Sequence, residues 1–203
     1  MAKVKLTKNE LKNQRDDLKR FERYLPTLQL KKQQLQLEVR NLAEAMNGLL
    51  ADMESMESAW KEVIPLFGGT DNAGTEGLVS VESWNVGHRN VAGIDVPVFE
   101  GIDFAVPEYD LFLTPAWYDD AVAMARSKIE LTLKHRLMAE ARERLEQELR
   151  VVTQRVNLFE KVKIPEAREN IRKINIYIGD QQINSVGRSK IAKGKCAQRS
   201  QAM

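Results

Sequence analysis

Apolar residues recur every seven positions through the first third of the chain. One series reads Leu11, Leu18, Leu25, Lys32, Val39, Met46, Met53 and Trp60; a second reads Gln14, Phe21, Leu28, Leu35, Leu42, Leu49, Met56 and Val63. Lys32 and Gln14 are the interruptions. Seven-residue spacing kept this long puts both series on one helix face and demands a partner helix in a left-handed supercoil. Thr7 and Glu10 make a capping box at the start, and Pro65 with Gly68-Gly69 stops the helix. Such a helix would run on the order of 85 Å.

From Pro65 to Leu113 the helical period is lost. Thr70 to Gly77 reads as a polar, glycine-containing loop. Val79 and Val81, then Ile94, Val96 and Val98, alternate with other residues as strands do. Gly87 to Gly93 supplies turn-compatible residues between them, so a β-hairpin is expected, with Pro97 on an edge or at a bulge. Thr114-Pro115 then starts a second helix as N-cap and first helical residue. Asp119 and Asp120 suit the positive end of its dipole. Trp117, Met124, Leu131, Met138, Leu145, Val152 and Phe159 again fall seven apart, beside a weaker series in which His135 and Arg142 alternate with Leu149 and Val156. After Pro165 the stripe moves by about one residue, to Ile164, Ile171 and Ile178, as a proline that bends the helix would require.

The expected fold is therefore all-α dominated: a long antiparallel two-helix coiled coil with a small β-hairpin insert at the end opposite the termini. The expected segments are an N-terminal helix over 1–64, a hairpin and loop insert over 65–113, a C-terminal helix over 114–180 and a basic tail over 181–203. In this register Phe21 meets Phe159, Leu28 meets Val152, and Leu35 meets Leu145, to within one heptad.

Composition supports a solvated helical protein: 30% of residues are charged and 6% aromatic. A formal net charge of +2 gives no case for nucleic-acid or membrane binding. The one cysteine, Cys196, allows no internal disulfide, and no stretch approaches the ~18 apolar residues of a membrane span. A soluble, cytoplasmic protein is expected, without direct membrane insertion.

Catalytic chemistry finds little footing. Phe67 to Gly74 is glycine-rich but lacks the Gly-Lys-Ser/Thr ending of a phosphate loop. His88 and His135 have no companions at metal-ligand spacing, and Cys196 has no second cysteine or nearby histidine. No catalytic residue, cofactor or metal is expected. The tail residues Arg188, Lys190, Lys193, Lys195 and Arg199 are unrelieved by acidic ones, but no aromatic residue interleaves for stacking on a base. Trp84, Val96 and Phe99 in the insert, with Arg188, Lys190 and Lys193 in the tail, are the candidate partner contacts.

The run from Gln154 through Arg155-Val156-Asn157 to Ile164-Pro165 and on to Ile171 resembles the C-terminal signature of the D subunits of V/A-type rotary ATPases. Tyr177 to Gln182 and Val186 to Lys190 resemble bacterial members, and Val91 to Pro97 is similar to the family hairpin. The N-terminal helix departs from the family pattern, with Leu6-Thr7 and Lys31-Lys32-Gln33-Gln34-Leu35 where many members carry Pro-Thr and Lys-Arg-Asp-Glu-Leu. The resemblance implies a non-catalytic rotor shaft. It would couple ATP turnover in a ring of catalytic A and B subunits to ion movement by the membrane rotor. Its other partners would be the small F subunit of the stalk and the C (d) subunit of the membrane rotor. The alternative is a coiled-coil scaffold or tether.

Overall fold

A computed structural model describes residues 5–63, 79–105 and 117–201. Helix α1 spans Lys8–Val63 and strands β1 and β2 span Ser80–Val91 and Ile94–Ala105. Helix α2 spans Tyr118–Leu158, a π-helical turn occupies Phe159–Lys163, and α3 spans Ile164–Gln201. The expected stop signals at Pro65 and Gly68-Gly69, the glycine-rich run Phe67 to Gly74, the loop over Thr70 to Gly77 and the cap at Thr114-Pro115 lie outside the described residues. The chain forms two compact units, Met1–Leu30 with Val152–Met203, and Lys31–Val151.

In the first unit Thr7 caps α1: its hydroxyl accepts from the Glu10 amide at 3.3 Å and its carbonyl from Leu11 at 3.0 Å. The reciprocal half of the capping box is not made, because the Glu10 carboxylate accepts from Gln14 Nε2 at 2.9 Å instead. The Phe21 and Phe159 rings stack with centroids 5.3 Å apart, as the antiparallel register requires. Glu22 pairs with Arg168 at 2.8 Å, and Arg15 donates to Asn175 at 3.4 Å. These exposed contacts mark register more than they stabilise it. Gln14, the break in the heptads, faces a polar mate, Asn170, at 3.5 Å.

The buried positions of this unit step once. Val152 and Val156 are buried upstream; Ile164, Ala167 and Ile174 are buried downstream. Val156 to Ile164 is eight residues where a heptad has seven. The extra residue is absorbed in the π turn, where the Ile164 amide donates to the Phe159 carbonyl five residues back. Pro165 has no amide hydrogen, and its ring would meet the carbonyl four residues earlier, so a widened turn immediately before it relieves the clash.

In the second unit Leu35 and Leu145 are both fully buried, and Lys31 pairs with Glu148 at 2.9 Å beside them. Lys32 is half-buried, its stem along the seam. The hairpin is a two-stranded antiparallel sheet. Its turn is confined to Ala92-Gly93, both at positive φ (51° and 84°), the geometry of the primed turns that suit the twist of hairpins. Asn90 braces it: its side-chain oxygen accepts from the Gly93 amide at 3.0 Å and its amide donates to Asp95 at 2.7 Å. The stretch from Gly87 to Asn90 is strand, not turn, paired with Asp95–Val98. Bulges place one extra residue, Glu82, in β1 and one, Glu100, in β2.

The hairpin lies back along the helices. The Arg144 guanidinium donates to the Asp95 carbonyl at 3.3 Å, Lys134 sits 5.2 Å over the Phe99 ring, and Arg126 6.0 Å over Phe104. β2 thus runs antiparallel to α2. Asp95 to Phe104 covers about 30 Å of strand and Arg144 to Arg126 about 27 Å of helix, so the two match in length. This second neighbour explains why α2 buries Leu137 and Ala141, residues outside the heptad series. Near the turn, β1 reaches α1 through Arg89 and Glu38 at 3.2 Å.

Candidate functional site

Of the six candidate contacts, Trp84, Val96 and Phe99 belong to the hairpin of the second unit and Arg188, Lys190 and Lys193 to α3 of the first. Val96 is 2% exposed, and with Pro97 and Phe99 it walls a cavity against Leu42, Leu137 and Met138. It packs in the hairpin–helix contact and leaves little surface for a partner. Burial passes from Val96 to its neighbour Pro97, both buried, so the inward face changes there. A two-stranded ribbon twists strongly enough to do this, and simple alternation misassigns the face. Phe99 is half-buried, with Lys134 Nζ over its ring.

Trp84 remains accessible, 44% exposed, near the similarly exposed Val81. Every residue from Ser80 to Asn85 is exposed, whereas their partners Gly101, Ile102 and Phe104 are half-buried. β1 is therefore the solvent side of the hairpin base, and the Trp84 indole stands on it.

The second surface is the end of α3. The heptads predict a helix end near Ile178; the helix continues to Gln201. Each residue from 180 to 198 is exposed. Arg188, Lys190 and Lys193 all lie on this stretch, none in a salt bridge among the described residues. Arg188 and Lys195 fall seven apart on one side of the helix, Lys190 and Lys193 on the opposite side, so the positive charge surrounds the helix instead of forming a patch.

Sequence reasoning missed the apolar residues of this end. Ile183, Val186 and Ile191 are 72%, 67% and 62% exposed. The signal was present. Past Ile178 the seam positions become Gln181, Ser185 and Arg188, while the apolar residues move off the seam. The α1 seam ends here and a different face becomes apolar.

Elsewhere the surface is carried by short-range ion pairs. The Glu169 carboxyl is held below the usual carboxylate range by its hydrogen bond from Arg172, opposed by partial desolvation and aided by the charges of Arg172 and Lys173. Among the described residues no three His, Cys, Asp or Glu gather to hold a metal ion, and no helix is long and apolar enough to cross a membrane.

Comparison with known proteins agrees over nearly the whole chain. The family model for the D subunit of ATP synthase matches residues 10–194. The V-type ATP synthase D subunit of Borreliella burgdorferi is 40% identical over 193 residues, covering 95% of this chain and 95% of that protein. Those of Chlamydia caviae and Chlamydia abortus are each 39% identical, covering 98% of this chain and 96% of theirs.

Proposed function

This chain belongs to the family of ATP synthase D subunits, and from that membership we propose that it is the central rotor shaft of a V/A-type ATPase. In this reading the chain carries no catalytic residues. It passes torque between a catalytic ring of A and B subunits and the membrane rotor, and so lies in the cytoplasm at the membrane periphery through its complex. The observation that supports it most is the end of α3. A helix that outruns its partner has no seam to bury and is unstable alone in water. Here it also carries exposed Ile183, Val186 and Ile191. A surrounding protein bore supplies the missing cover, and positive charge on all sides suits a shaft that meets its surroundings at every angle.

A shaft must also resist twisting between its helices and bias its partners by differential contacts. The closed seam at Leu35 and Leu145 serves the first need. The exposed base of β1 around Trp84 is the docking surface for the small F subunit of the stalk, and the C (d) subunit takes the shaft toward the membrane ring.

Native purification of tagged full-length chain from its host tests the reading. A and B subunits should accompany it, and truncation after Gly179 should lower their retention several-fold while the thermal unfolding midpoint of the free chain stays almost unchanged. Trp84→Ala should weaken binding of the F subunit without affecting A and B. Full retention of the ring by the truncated chain, or absence of A and B from the wild-type preparation, refutes the placement.

A further inference from the structure

The coil of the first unit is weakened in both helices at one level. Pro26 stands inside α1 and has no amide hydrogen, so the Glu22 carbonyl four residues back lacks its helical donor. Beside it the Thr27 hydroxyl donates to the Tyr24 carbonyl at 2.8 Å, a local contact of the kind that competes with the helix ladder. In the π turn Phe159–Lys163 the Ile164 amide reaches back to the Phe159 carbonyl. The next bond of that pattern, to the Glu160 carbonyl, cannot form because Pro165 has no amide hydrogen. The two stretches lie against each other: the Phe21 and Phe159 rings stack with centroids 5.3 Å apart, and Glu22 pairs with Arg168 at 2.8 Å.

Packing does not compensate for the missing bonds. No side chain of the π turn is buried, whereas Val152 and Val156 before it and Ile164, Ala167 and Ile174 after it are. Phe21 and Leu25 opposite are only half-buried. The Glu22–Arg168 pair is exposed and adds little. Absent backbone bonds and few buried contacts mark the stretches of a protein that open first. Prolines and π turns are also where helices kink. We propose that the stretches 22–27 in α1 and 157–163 in α3 form one joint, which opens as a single local unit while the seam on either side stays closed. Its use rests on the shaft reading: a joint here lets the arm that carries the exposed end of α3 tilt to follow its surroundings. The joint itself is a property of the chain alone, and its test needs no partner.

Hydrogen exchange of the full-length chain, followed by mass spectrometry of its peptides, tests the joint. Amides of 157–163 should exchange about tenfold faster than those of 148–154 and 168–174 on either side. Pro26 is exposed, so Pro26→Ala restores the α1 bond without moving a packed side chain. In a single joint this change should slow exchange several-fold in 22–27 and also, across the seam, in 157–163, while 148–154 stays as it was. The reciprocal change, deletion of Val162 with Pro165→Ala, should slow 22–27 in turn, because coupling between two sites works in both directions. Exchange in 157–163 no faster than in its flanks overturns the proposal. A response to Pro26→Ala confined to α1 overturns it too, since the two weak stretches would then be independent. The wild-type comparison alone can refute the joint, so poor folding of a variant would not shield it. Absence of A and B subunits from the purified chain would refute the shaft reading and leave the exchange result to stand by itself.

Discussion

The π turn before Pro165 makes a quantitative demand on chain length. Upstream, Val156 and Phe159 occupy the seam; downstream, Ile164 and Ala167 do, each eight residues later. Deleting Val162, an exposed residue of the turn, restores seven-residue spacing with the same residues buried. The remaining cost is Pro165 in a regular helix, about 3 kcal/mol. With Pro165→Ala added, the double variant should lie within ~1 kcal/mol of the parent, because no buried side chain has moved. Inserting one alanine after Val162 has the opposite effect. It turns α3 by a further ~100° and carries Ile164, Ala167 and Ile174 off the seam. The two isoleucines alone are worth about 3–6 kcal/mol of burial, an upper figure because unfolded chains already bury some of that area. Urea unfolding followed by circular dichroism at 222 nm separates these cases, with the slope against denaturant checking that the unfolding unit is unchanged. Equal destabilisation by deletion and insertion would refute the phase argument and leave the π turn a local response to Pro165.

Three further outcomes are expected. Leu145→Ala should cost about 2–5 kcal/mol, as removal of a fully buried leucine does, whereas Val151→Ala, at an exposed position of the same helix, should cost under ~1 kcal/mol by the same unfolding assay. Ala92→Asn should stabilise the hairpin by about 1 kcal/mol, since alanine at positive φ is strained and asparagine is at home there; hydrogen exchange of β1 and β2 amides should slow accordingly. Glu169 should titrate below an ordinary glutamate by carbon-13 NMR, and Arg172→Gln should return it toward the ordinary value. Because its folded pKa is the lower one, its small stabilisation of α3 is present above the unfolded pKa and fades as pH falls through the folded value.

Periodicity is a local property, and it was legible. The seven-residue series of α1 and α2 implied a closed seam and an antiparallel partner, and the Phe21–Phe159 stack lies where those series put it. The one-residue step near Pro165 could also be read, since the apolar positions Ile164, Ile171 and Ile178 record it. What the series could not carry is which neighbour covers a second face. Leu137 and Ala141 lie off the heptad because β2 rests on them, and nothing local to α2 announces a strand some 40 residues earlier in the chain. The same contact made Val96 a core residue while Trp84, equally apolar by composition, stayed outside. Pro26 shows the limit from the other side. A proline mid-helix breaks local propensity, yet α1 runs through it unbroken. Its exposed position leaves the ring off the seam that Phe21, Leu25 and Leu28 half-bury. Helix continuity and face choice are settled by what packs against each residue, and packing is known only once distant segments have met.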